Sequence, residues 1–105
     1  MKLLDGKTAV ITGSSRGLGF AIAKAFAEQG ANVVLAARTA DTLQSAVTEL
    51  RNNGYKAEGF ACDTANLEDL ERLASQAVAT FGRLDIWVNN AGISAPYGST
   101  MSIAP

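Results

Sequence analysis

The sequence predicts an α/β protein built on a doubly wound parallel sheet, and three observations carry that prediction. Short apolar runs alternate with amphipathic stretches in the order β-α-β-α-β-α-β. The runs at 9–11 (AVI) and 32–37 (NVVLAA) are apolar on nearly every residue, as strands buried on both faces are. The connections are short, so each helix crosses between parallel strands, and such crossovers are right-handed in nearly all cases. The expected strand order is 3-2-1-4, with strand four returning to lie beside strand one.

Each element has its own signal. Strand one covers roughly 8–11 and ends at Thr12-Gly13. Helix one runs from about 18 to 29, where Leu18, Ile22, Ala25 and Phe26 fall on one stripe and Gly30 supplies the stop. Strand two is 32–37. Helix two is capped by Thr39 or Asp41 and carries Leu43, Ala46, Val47 and Leu50 on its core face, with Asn52-Asn53-Gly54 closing it. Strand three, about 56–62, sets Lys56 and Glu58 on one side and reads as an edge strand. Asn66 and Asp69 form a capping pair for helix three, whose expected stripe is Leu67, Leu70, Ala74, Ala77, Val78 and Phe81. Strand four is 84–89 (LDIWVN), with Trp87 read as core. Residues 93–105 read only as a terminal loop.

Composition narrows the function. Hydrophobic residues make up 48% and charged residues 18% of the 105, which excludes a disordered chain. A net charge of −1 with no basic run argues against nucleic acid and anionic lipid as partners. No apolar run is long enough to span a bilayer. The single cysteine, Cys62, can form no internal disulfide, and with no hydrophobic leader this points to a cytoplasmic protein. There is no histidine, so His-based metal sites and Ser-His-Asp catalysis are excluded from these residues.

The informative stretch is 7–20 (KTAVITGSSRGLGF). A strand, a loop with glycines at 13, 17 and 19, and a helix start present bare N–H groups to an anion. The spacing G-x-x-x-G-x-G differs from the common G-x-G-x-x-G, and alone it fits equally a turn that needs flexible residues. The topology adds a second wall. The switch between strands one and four sets the loop at Gly13 and the loop at Asn90 on one crevice, at the carboxyl ends of the strands, where open α/β sheets bind ligands.

The residues 12–19 (TGSSRGLG), Asp63 after strand three and 89–92 (NNAG) after strand four together resemble the short-chain dehydrogenase/reductase family, over essentially the whole length. That resemblance implies a Rossmann-type domain holding NAD or NADP, and hydride transfer between nicotinamide and a carbonyl or alcohol carbon. It places Gly13, Ser15, Gly17, Leu18 and Gly19 at the pyrophosphate and ribose. Asp63, with Thr64 beside it, would accept from the adenine amino group. Asn90, Ala91 and Gly92 would line the ribose side, while Asn89 braces the sheet.

The dinucleotide follows from charge. An NAD site ends strand two with an acid for the ribose 2′-hydroxyl. Here strand two ends Ala36-Ala37, followed by Arg38. Arg16 and Arg38 are expected to converge on a 2′-phosphate through charge-assisted contacts, so the expected cofactor is NADP.

The resemblance also expects a catalytic serine and a Tyr-x-x-x-Lys pair. Tyr55 is followed four places on by Gly59 and Tyr97 by Met101, so no catalytic residue is assigned here. The expectation is therefore the NADP-binding part, residues 1–105, of an oxidoreductase whose carbonyl or alcohol substrate requires a longer chain. The alternative is a non-catalytic nucleotide-binding or interaction module that natively ends at residue 105. In either case the outer edge of strand four lacks a partner, and self-association through it is expected.

Overall fold

The computed structural model describes residues 2–90 and the backbone of residues 100–103. Within them the chain forms β1 (Thr8–Thr12), α1 (Gly17–Glu28), β2 (Asn32–Ala37), α2 (Ala40–Asn52), β3 (Ala57–Ala61), α3 (Leu67–Phe81), β4 (Ile86–Asn89) and β5 (Thr100–Ile103). The sheet order is β3-β2-β1-β4-β5, so the predicted 3-2-1-4 core is present and its strands are parallel. In register, Ile11 lies between Leu35 of β2 and Val88 of β4, which brings the three carboxyl ends level.

Alternation along the strands makes two cores. Ala9, Ile11, Val33, Leu35, Ile86 and Val88 face α1 and α2, where Ala23, Ala27, Leu43, Val47 and Leu50 meet them. Val10, Val34 and Ala36 face the other way with Cys62, against Leu73 and Ala77 of α3. Both faces of β1 and β2 are dry, which is why those strands read as unbroken apolar runs.

Helix α2 buries the four residues its spacing predicts, Leu43, Ala46, Val47 and Leu50. Its N-cap is Thr39, but the threonine hydroxyl makes no capping bond. Helix α1 departs from expectation. Its buried positions are Gly19, Ala23 and Ala27, while Leu18 is 62% exposed and Ala25 is also exposed. Small residues at a four-residue spacing let the helix axis approach the sheet, and Phe20, Ile22 and Phe26 pack half-buried along its flanks. In α3 the fully buried residues are Leu73 and Ala77. Leu67 and Val78, expected in the stripe, are 70% and 45% exposed. The expected cap is present, with Asn66 Oδ1 accepting the Asp69 N–H at 3.2 Å.

Two expectations for the end of the chain need correction. Residues 93–105 are not all loop, because 100–103 form β5. That strand pairs antiparallel with β4, Val88 opposite Met101, so the outer edge of β4 is occupied. Self-association through a bare β4 edge therefore loses its basis.

At the amino end of the sheet, β4 is pinned to β1 just before it begins. The Asp85 carboxylate accepts the Thr8 N–H at 2.9 Å and two Arg83 N–H groups at 2.7 and 2.8 Å, while the Asp85 N–H donates to the Thr8 carbonyl at 2.9 Å. Hydrogen bonds from Arg83, then from Thr8, hold the Asp85 pKa down at about 2. Among the described residues, no helix is long and apolar enough to cross a membrane.

Candidate functional site

The glycine loop between β1 and α1 is tied to the ends of three strands by the side chains of Thr12, Ser14 and Asn90. Ser14, fully buried, donates to the Ile11 carbonyl at 2.6 Å and accepts the Ala36 N–H at 3.1 Å. Its own N–H donates to the Ala36 carbonyl at 3.2 Å, so the loop is stitched to the end of β2. Thr12, also buried, accepts the Asn90 N–H at 2.9 Å and donates to Asn89 Oδ1 at 3.3 Å, which ties the loop to the end of β4. The Asn90 amide then donates to the Gly13 carbonyl at 3.0 Å.

Two of the glycines are required by geometry. Gly17 has φ +64°, a left-handed conformation that a side chain would strain. At Gly19 a Cβ would stand 2.2 Å from the Gly13 carbonyl oxygen and 2.6 Å from Asn90 Nδ2, so α1 starts in direct backbone contact with the loop. Among the described residues, the N–H groups of 15–19 donate to no backbone acceptor, as expected where a helix begins. They are a preformed set of donors for an anion.

Beside this loop lies a crevice of about 670 Å³ between the carboxyl ends of β1, β2 and β3. Gly13, Ser15, Arg16 and Gly17 form one wall, and Asn90 closes the β4 side. Arg38 lines the opposite wall with Ala37, Thr39 and Thr42, and Cys62 and Thr64 complete it from the end of β3. Both expected arginines thus face one cavity. Among the described residues, neither guanidinium has a hydrogen bond or ion pair; the salt bridges there are Arg51–Glu58, Arg72–Asp69 and Arg83–Asp85. Two unpaired guanidinium groups around open N–H donors give the cavity a chemistry suited to a polyanion.

Other expected residues are placed differently. Leu18 stands exposed at the first turn of α1, and Gly19 is buried against the loop; neither lines the crevice. Asp63 is exposed beside the wall, with Oδ1 accepting the Ala65 N–H at 3.0 Å and its own N–H donating to Asp69 Oδ2 at 3.0 Å. Ala91 and Gly92 lie outside the described residues. Asn89 braces the sheet through Thr12, as expected. The sequence reading missed Thr12 and Ser14, which hold the loop, and Thr39 and Thr42, which stand at the start of α2. The signal for the last two was their position directly after a strand whose carboxyl end opens on the crevice.

Burial, and secondarily Asp69 and Asp63, push the Cys62 thiol pKa up, so it stays protonated and inert at neutral pH. Among the described residues, no group of three or more His, Cys, Asp or Glu is placed to hold a metal ion.

Comparison with known proteins agrees with this geometry. The short chain dehydrogenase family model matches residues 7–103. The chain belongs to that family. An uncharacterised oxidoreductase of Mycobacterium tuberculosis is 50% identical over 93 residues, covering 89% of this chain and 35% of the relative. L-sorbose reductase from Gluconobacter frateurii, solved with NADPH and L-sorbose, is similar at TM-score 0.83 and 42% identity, over 90% of this chain and 37% of that one. Actinorhodin polyketide ketoreductase, solved with NADPH, is similar at TM-score 0.80 and 35% identity, over 88% and 35% of the two chains. This short-chain dehydrogenase chain therefore spans about a third of the length of the curated relatives it matches. The family fold binds a nicotinamide dinucleotide.

Proposed function

We propose that the crevice binds NADP in preference to NAD, as the cofactor-holding part of an oxidoreductase that moves hydride between NADP(H) and a carbonyl or alcohol carbon. The observation that carries the preference is the pair of unpaired arginines, Arg16 and Arg38, on one cavity whose β2 end offers Ala36 and Ala37 in place of an acid. When bound, the cofactor supplies the hydride chemistry. The chain's own residues would grip it: the N–H groups of 15–19 at the pyrophosphate, Asn90 on the ribose side, Thr64 beside the base, and Arg16 with Arg38 at the 2′-phosphate. The NADPH-bound relatives support this reading.

No catalytic group is assigned among residues 1–105, since Tyr55 and Tyr97 are not followed by lysine four places on. Turnover and the choice of substrate would then draw on a longer chain, acting in the cytoplasm. The test is a titration of the 105-residue chain with NADP and NAD. A charge-assisted contact contributes about 1.5–3 kcal/mol, so NADP should bind at least tenfold tighter. Arg38→Ala should remove most of that difference. Equal affinity for both nucleotides would overturn the proposal.

A further inference from the structure

We infer that Thr42, one turn into α2, faces the 2′-phosphate seat and sets how strongly the crevice discriminates between phosphorylated and unphosphorylated ribose. This inference rests on the NADP reading above and names a residue that neither the family's glycine motif nor the arginine pair assigns.

Thr42 lines the same cavity as Arg16 and Arg38. It also lines a second groove of about 390 Å³ between α1 and α2, together with Ser15, Arg16, Gly17 and Phe20. Its side chain therefore stands on the ridge that Arg16 shares, opposite the start of α1. The Thr42 hydroxyl donates to the Thr39 carbonyl at 3.2 Å, an exposed bond one turn back on the same helix. Rotation about χ1 redirects that proton into the cavity at the loss of one solvent-accessible bond. Thr39 precedes it with a hydroxyl that caps nothing. An anion between the two arginines thus meets neutral donors from α2. A charge placed at position 42 would act on that anion from the wall both arginines share.

The consequence is a ruler of charge at one exposed position. Substitutions there leave folding nearly unchanged, because Thr42 is exposed and its hydroxyl is not the helix cap. Thr42→Asp should weaken binding of adenosine 2′,5′-bisphosphate at least tenfold and that of adenosine 5′-monophosphate less than twofold. Thr42→Arg should strengthen the first several-fold and leave the second unchanged. Thr42→Val should cost the bisphosphate a few-fold. The charge effects should shrink as salt is raised from 50 to about 300 mM, by screening.

The measurement is a nuclear magnetic resonance titration of the 105-residue chain with the two adenosine nucleotides, for the three variants and for Arg38→Ala. Retained amide spectra show that each variant is folded. If Arg38→Ala abolishes the preference for the bisphosphate while Thr42→Asp and Thr42→Arg leave the ratio within twofold, Thr42 does not face the seat and only this inference falls. If Arg38→Ala leaves the ratio unchanged, the NADP reading fails and takes this inference with it.

Discussion

The two faces of the sheet are finished to different degrees. On the α1/α2 face, Leu50, Val47 and Leu43 join Leu35, Val33 and Ala57 in the larger of the two buried clusters, with Phe20, Ile22, Phe26 and Tyr55 half-buried around it. On the α3 face, Leu73 and Ala77 are buried, but Trp87, Phe81, Phe60 and Leu70 are only partly covered. Leu67 and Val78 stand largely in solvent. The difference teaches where rigidity comes from. The crevice is framed by α1, α2 and the carboxyl ends of β1 and β2, all on or bordering the face with the larger buried cluster. Its geometry is therefore set by the denser packing.

Deleting matched leucines should break or sharpen that contrast. Leu50→Ala is expected to cost about 2–5 kcal/mol, towards the upper end, because the dense α2–β3 packing cannot collapse into the gap. Leu73→Ala should fall near the lower end, about 2 kcal/mol, since its partly wet neighbours can relax or admit water. Urea unfolding of both variants decides the matter. A Leu73 variant as damaged as the Leu50 variant would show the two faces to be equally tight.

The next effect concerns the join between loop and helix on the finished face. Gly19→Ala drives a methyl into the Gly13 carbonyl and the Asn90 amide. It should cost about 1–3 kcal/mol through overpacking and abolish nucleotide binding. Thermal unfolding and nucleotide titration measure these separately, and an alanine variant that binds normally would show the close approach to be dispensable.

A smaller effect should come from the pin at the amino end. Asp85 titrates at about 2 in the folded chain against 3.8 unpaired. Its contribution is therefore complete above pH 4 and is lost as pH falls towards 2. Asp85→Asn should lower stability at pH 7 by about 1–2 kcal/mol. The gap to the unsubstituted protein should close on acidification through this window, read from unfolding midpoints at a series of pH values. A gap that persists at pH 2 would contradict the assignment.

The smallest effect is expected on the open flank. Leu67→Ser and Val78→Ser should change stability by less than about 0.5 kcal/mol. A loss of 2 kcal/mol in either would mean that the α3 flank is covered in solution, and a sedimentation run on the same sample would say whether a second copy covers it.

These asymmetries explain what the sequence could reveal. Helix α2 was legible because it has one apolar stripe and a charged back, so Leu43 to Leu50 could face only one way. Helix α1 is apolar nearly all round, and hydrophobic periodicity favours Leu18 and Phe26 over Gly19, Ala23 and Ala27. Close approach, not side-chain bulk, chose the buried face. In α3 the expected stripe faces the core at Leu70, Ala77 and Phe81 but omits Leu73, and among the described residues nothing buries Leu67 or Val78. Strand β5 gave little warning, because Ser99, Thr100 and Ser102 interrupt the apolar pattern and pairing with β4 supplies the order. In the site, the glycines and arginines could be read from spacing and charge. Thr12 and Ser14 could not, because their roles exist only once three strand ends meet.

The Gly13–Asn90 bond joins residues 77 positions apart. The mouth of the first loop is thus completed by a segment synthesised much later than the loop itself, and loop closure over such a span is slow. A nascent chain lacking β4 would have the glycine motif but not the shape that recognises a nucleotide. A nucleotide bound there would favour correctly registered molecules in the folding ensemble by mass action.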